Sequence, residues 1–163
     1  RLETGSGGIA LQAAVATTSG TSIDFTGIPA GVKRVKVTYV GISLDAATQA
    51  IIQLGDSGGF ETSNYLGSAW YANTGNVQYT NGFLAFAYTN ASYLTHGTLT
   101  LDIHDSAAFT WSGAGTFGPS NVAAAGLTAG SKSLSGELTQ IRLTSASGTA
   151  NFDAGSIAIS WEF

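Results

Sequence analysis

Two histidines, His96 and His104, and ten acidic residues are the groups through which this chain could do acid–base or nucleophilic chemistry. Cysteine is absent, which removes thiolate nucleophiles, disulfides and thiolate metal sites together. A Ser-His-Asp triad would need one of the two histidines. Asp105 follows His104 and serines are plentiful. No strained nucleophile turn of the Gly-x-Ser-x-Gly kind is expected, and no stretch has the period and caps of the helix that would follow one. Glycoside hydrolysis needs two carboxylates facing each other across a sugar. Asp56 with Glu61 and Asp102 with Asp105 are the nearest candidates. Asp102 and His104 stand at i and i+2, so on a strand they share a face with Thr100. Two ligands from one chain make a weak metal site. The reading is therefore a domain without catalytic residues, metal or cofactor.

The aromatic residues are better placed for function. Sugar rings carry apolar faces that stack on Trp and Tyr, while their hydroxyls need Asp, Asn or Gln. Trp70 and Tyr71 are adjacent, so on a strand they point to opposite sides and one of them leaves the core. Tyr65, Asn73, Asn76 and Tyr79 flank them in a segment rich in Asn, Ser and Tyr. These six form the candidate ligand-binding set. Trp111 alternates with Phe109 and reads as core, as does Trp161.

The elements that must position these groups are strands. The chain has 163 residues, enough for one domain with its own core. Charged residues are 10% of it, while Gly, Ala, Ser and Thr make up about half. With eight Phe, six Tyr and three Trp, it lacks the signature of a disordered segment. The last stretch alternates, with Ile157, Ile159, Trp161 and Phe163 on one side and Ala158, Ser160 and Glu162 on the other. That pattern predicts a strand held inside a sheet, aimed by a turn or bulge at Asp153, Gly155 and Ser156. Lys33–Ile42 and Leu94–Asp105 read as strands too, with Val35, Val37 and Tyr39 inward on the first and Leu99, Leu101 and Ile103 inward on the second. The cluster Lys33, Arg34 and Lys36 is then a solvated strand face of the kind that guards a sheet edge. Gln49–Gly55 reads as an apolar strand with Ile51, Ile52 and Leu54, buried on both faces or at a sheet crossing, and Asp56–Gly59 as a glycine turn. A phosphate-cradling loop would add a Lys and a helix there. Asn81-Gly82 predicts a hairpin joining Val77–Thr80 to Phe83–Thr89. Residues 118–132 read as irregular and rich in Ala and Gly, with strand pieces around a loop. The sum is an all-β antiparallel sandwich, jelly-roll-like, of about nine to eleven short strands over residues 9–163. Residues 1–8 read as a linker or the join to an upstream stalk.

Partners are bounded by charge. A net charge of −4 with six Lys and Arg has the wrong sign for binding nucleic-acid phosphates. No apolar run reaches the roughly 20 residues of a membrane helix, so membrane insertion is not expected.

Four phrases carry a family resemblance: Thr-Ser-Ile-Asp-Phe-Thr-Gly-Ile-Pro-Ala-Gly-Val-Lys-Arg-Val at 21–35, Ile-Gln-Leu-Gly-Asp-Ser-Gly-Gly at 52–59, Gly-Ser-Lys-Ser-Leu-Ser-Gly at 130–136 and Phe-Asp-Ala-Gly-Ser-Ile-Ala-Ile at 152–159. Together they resemble the C-terminal tip or knob domains of tail fibres and receptor-binding proteins of tailed bacteriophages and prophages. The likeness spans most of the chain after about residue 15, the scale of one domain. It is a run of phrases without a motif of functional residues. It implies a virion protein that works outside the cell, assembles as a homotrimer on an upstream fibre stalk, and attaches to host bacterial surface polysaccharide or lipopolysaccharide. A structural module that trimerises, caps or decorates the virion is the alternative, and a polysaccharide-degrading domain is the third reading.

Overall fold

The computed structural model describes residues 8–72, 75–87 and 90–163. Among them are fourteen strands and no helix. Along the chain they are β1 (Ala10–Leu11), β2 (Val15–Ala16), β3 (Ser22–Thr26), β4 (Arg34–Leu44), β5 (Ala50–Asp56), β6 (Gly59–Phe60), β7 (Leu66–Tyr71), β8 (Gly75–Tyr79), β9 (Phe83–Phe86), β10 (Thr95–Asp105), β11 (Thr110–Pro119), β12 (Gly126–Ser133), β13 (Gln140–Ser145) and β14 (Phe152–Glu162). A nine-stranded sheet runs β1-β14-β4-β10-β11-β12-β7-β8, with β2 also on β14. A five-stranded sheet runs β3-β13-β5-β6, with β9 also on β5. Every pairing is antiparallel. From β3 onward the chain passes repeatedly from one sheet to the other, as a jelly-roll-like sandwich requires.

Alternation places the core between the sheets. Val35, Val37 and Tyr39 of β4, Leu99 and Leu101 of β10, and Ile157, Ile159 and Trp161 of β14 are buried. They face Ile23, Phe25, Ile52, Leu54, Ile141 and Leu143 of the smaller sheet. β5 is buried at every residue, its polar Gln53 and Asp56 included, so the strand is covered on both faces. β14 breaks register on both sides of Ala154, and Gly155 has φ 91°. That is the expected bulge, and glycine supplies the left-handed conformation it needs.

Glycine governs the inner face of the large sheet. In one cross-strand row Tyr39, Gly97, Phe117, Gly126 and Tyr71 stand side by side. In another stand Leu101, Gly113, Gly130, Gly67 and Tyr79. A Cβ on Gly97 would sit 2.6 Å from Tyr39 Cζ, one on Gly126 2.5 Å from Phe117, and one on Gly130 2.6 Å from Tyr79 Oη. The rings therefore lie along the sheet, over strands that have no side chain to obstruct them. Tyr hydroxyls then close the core. Tyr39 Oη donates to the Ala85 carbonyl between the sheets. Tyr65 Oη accepts from the Leu54 N–H at 2.7 Å and donates to the Glu61 carbonyl at 2.9 Å.

Several sequence expectations need correction. Asn81-Gly82 does not turn a hairpin, because β8 pairs with β7 in the large sheet and β9 with β5 in the small one. It is a crossover between sheets, and the Asn81 carbonyl is taken by Gln53 Nε2 at 2.8 Å. The strand pieces expected in residues 118–132 are the end of β11 and one eight-residue strand, β12, longer than the sequence pattern shows. Its Gly and Ala residues hid the alternation, because the apolar volume on that row belongs to Phe117 and Tyr79. Phe163 is exposed rather than part of the core wall. β4 lies inside its sheet, so its basic residues guard no edge. The expected linker 1–8 falls, apart from Gly8, outside the described residues.

The Cβ of Gly113→Ala would lie 2.7 Å from Phe83 Cε1. This variant should lose about 1–3 kcal/mol of stability through overpacking. Urea denaturation measures it, and adding Phe83→Leu should recover part of the loss, since the two residues share one contact.

Candidate functional site

The acidic candidates are all committed to structure. Asp56 is buried at the β5–β6 turn, where its Oδ1 accepts the Gly58 N–H at 2.7 Å. Glu61 follows β6; its Oε2 lies 2.5 Å from Lys132 Nζ and its Oε1 accepts the Ser135 N–H at 2.6 Å. Asp102 pairs with Arg34 at 2.6 Å across the β4–β10 ladder. Asp105 caps the following turn by accepting the Ala107 and Ala108 N–H groups at 2.8 and 3.2 Å. His104 occupies the bulge between Ile103 and Asp105, which breaks the alternation that was to align it with Asp102. Among the described residues no three His, Cys, Asp or Glu side chains gather as a metal site.

The string Gly55-Asp56-Ser57-Gly58-Gly59 spells Gly-x-Ser-x-Gly. Its structure is the tight β5–β6 hairpin in the five-stranded sheet, with no helix after it. Both histidines lie on β10 in the other sheet. The spelling therefore lacks the strand–turn–helix context that exposes a nucleophile.

A cleft of about 350 Å³ opens beside Glu61, Asn64, Leu66, Lys132 and Ser135. Lys132 points inward from β12, with its side chain only 2% exposed. A buried lysine in a cleft is a candidate nucleophile. Here Nζ meets the Glu61 carboxylate, donates to the Ser63 carbonyl at 3.0 Å, and lies 5.2 Å from the centre of the Tyr65 ring. The ammonium is thus fully engaged, and it ties the loop after β6 to β12. Burial pushes the Glu61 carboxyl up, but the hydrogen bonds from Lys132 and Ser135 outweigh it and hold the group below its ordinary value of 4.5.

The aromatic candidates divide by sheet face. Trp70 leaves the core and is 45% exposed, while Tyr71 packs against it, as their adjacency requires. Asn76 is the register partner of Trp70 on β8 and is exposed on the same face. Tyr65 and Tyr79 are corrections: both are buried, and Tyr79 Oη accepts from Thr128 Oγ1 at 3.1 Å inside the sandwich. Tyr65 makes T-shaped contact with Phe83, with ring centroids 5.4 Å apart. Tyr79 fills the space over Gly67 and Gly130, and Tyr65 is held by Leu54, Glu61 and Phe83, so neither reaches a surface ligand. Asn73 lies outside the described residues.

The structure adds Leu127, which sequence reading missed because β12 was not recognised. It is the register partner of Trp70 on the other side and is 50% exposed. One outer row thus runs Asn76, Trp70, Leu127, Thr116, Thr98 and Thr38. The next runs Gln78, Ser68, Ala129, Ala114, Thr100 and Lys36. Across β8, β7, β12, β11 and β10 these two rows carry no charge. The result is a flat, hydroxyl- and amide-bearing face with one exposed indole. It can stack a ring and hydrogen-bond its edges.

No protein-family model matches the chain, and no curated protein gives a significant match.

Glu61→Gln leaves the Lys132 charge without its counterion and should cost about 3–5 kcal/mol. Because the Glu61 carboxyl is held below 4.5 in the folded protein, its stabilisation is complete above that pH and fades as pH falls through the lower folded value. Urea midpoints measured from pH 7 down to pH 3 should fall in the parent and fall less in the variant.

Proposed function

We propose that this domain is the receptor-binding tip of a tailed-phage or prophage tail fibre, and that it attaches to polysaccharide or lipopolysaccharide on a bacterial surface without catalysis. The family resemblance of four sequence phrases motivates the biological setting. The observation that carries the binding chemistry is Trp70, an exposed indole flanked by Asn76 and Leu127 on an uncharged sheet face. An indole stacks on the C–H face of a sugar, and the neighbouring amide and hydroxyls satisfy its edge. Commitment of Asp56, Glu61, Asp102 and Asp105 to structural donors supports binding over hydrolysis. A shallow site of this kind is weak by itself. Three copies on one fibre would raise its hold on a dense surface through avidity.

A structural module is the second reading. Leu66 and Leu127 accompany Trp70 on the outer face and are as exposed as it is or more so. Apolar and aromatic groups at the centre of a face also suit packing between subunits.

Trp70→Ala should weaken binding to the host glycan at least about tenfold, since aromatic anchors dominate such contacts. It should leave the urea midpoint almost unchanged. A panel of bacterial cells and purified surface polysaccharides measures the first, with the supernatant assayed for released sugar. Binding that survives Trp70→Ala refutes the site, and released sugar refutes the non-catalytic reading. Light scattering at micromolar concentration should give a mass three times that of one chain; a monomer would end the trimer proposal.

A further inference from the structure

The five-stranded sheet carries a second concavity, on the side away from the core. It is a cleft of about 330 Å³, at the lower end of the range of about 300–1,000 Å³ for small-molecule sites. Its floor is a grid set by register. One row is Arg142 and Gln53, with Asp24 beside Arg142 just outside the lining; the next is Ser22, Thr144 and Ile51. The loop residues Thr62 and Asn81 and the turn residue Ser147 wall it.

Polar groups on the outer face of a sheet are ordinarily solvated. Here Gln53 and Thr144 are more than nine-tenths buried and each is already oriented. Gln53 Nε2 donates to the Asn81 carbonyl at 2.8 Å, which leaves Oε1 as the acceptor. Thr144 Oγ1 donates to the Thr21 carbonyl at 2.9 Å and keeps its lone pairs. The Arg142 guanidinium is held by Asp24 through Nε at 2.7 Å and Nη2 at 2.8 Å, and its carbon sits 4.1 Å from the centre of the Phe60 ring. Those bonds fix the plane of the fork and leave Nη1 to donate. Ile51 adds an apolar strip to the floor.

We infer that this cleft is a saccharide site in its own right, fitted to a neutral, hydroxyl-bearing sugar unit. A sugar hydroxyl both donates and accepts, so neighbouring hydroxyls can meet Arg142 Nη1 and Gln53 Oε1, which stand on adjacent strands. Asp24 decides the charge class. Its carboxylate cancels the guanidinium, so a phosphate or uronate gains little net attraction and meets Asp24 as a like charge. The groups are pre-set by protein hydrogen bonds, which lowers the ordering cost of binding. This site shares the ligand class of the Trp70 face and none of its residues, so either can fail alone.

The test is an NMR titration of the isotopically labelled protein with maltose, lactose, cellobiose and mannobiose, and with digalacturonate as the acidic arm. At least one neutral disaccharide should give saturable shifts at the Gln53 and Asn81 side-chain amides and the Arg142 Nε–H. Thr62→Trp fills the mouth from an exposed residue and should weaken that binding at least about tenfold. Gln53→Ala should do the same, while Trp70→Ala should leave it unchanged. Silence from every neutral disaccharide at these groups overturns the site. Tighter binding of digalacturonate overturns the neutral class. Shifts confined to the Trp70 row overturn this cleft and leave the Trp70 proposal standing.

Discussion

An aromatic ring laid along a β-sheet needs neighbours without a Cβ, and the core of this protein depends on that condition. Tyr39 crosses Gly97, Phe117 crosses Gly126, Tyr79 crosses Gly67 and Gly130, and Phe83 meets Gly113. Each glycine weakens its own strand through backbone entropy. Each ring more than offsets this by filling the space with a large apolar surface. The arrangement also brings phenol hydroxyls to the opposite side of the core, where Tyr39 reaches Ala85 and Tyr65 reaches Leu54 and Glu61. Add a methyl at any of these glycines, and the ring or backbone beside it must shift.

The same condition shapes the outside. With aromatic volume concentrated inward, the outward positions of β7, β11 and β12 are left to Ser, Thr and Ala, interrupted by Leu66, Trp70 and Leu127. Charges are few, and the cations that sit on the sheet faces are mostly neutralised: Arg34 by Asp102 and Glu162, Arg142 by Asp24. Exposed pairs of this kind contribute little stability. Their effect is to keep broad surfaces near electrical neutrality. Lys132 with Glu61 differs, because a buried ammonium is costly without its partner.

Such a surface offers groups for stacking and hydrogen bonding, which is the chemistry that the proposed glycan attachment would use. The candidate carboxylates are engaged in a turn (Asp56, Asp105), a loop tie (Glu61) and a cross-strand ion pair (Asp102). What remains available is one indole on the large sheet and a pre-set amide, hydroxyl and guanidinium group on the small one. Both belong to rigid strands, which hold binding groups more firmly than loops do.

Much of this was legible in the residues themselves. Period-two alternation in Lys33–Ile42, Leu94–Asp105 and the closing strand depends only on which side each residue points, and local backbone geometry dictates that. For the same reason the adjacency of Trp70 and Tyr71 guaranteed that one of them would be exposed. The sequence alone therefore determined an all-β sandwich, the inward residues of its cleanest strands, the Gly155 bulge and the exit of one aromatic. Tertiary structure decided everything that depends on a strand's partner. Asn81-Gly82 crosses between sheets because β8 and β9 find different neighbours. β12 exists because rings from other strands supply the volume its glycines lack. Tyr79 is core because Gly67 and Gly130 leave room above them, and Tyr65 because its hydroxyl reaches Leu54 and Glu61. Leu127, Arg142 and Gln53 acquire their roles only through register, and register pairs residues dozens of positions apart that no local pattern records.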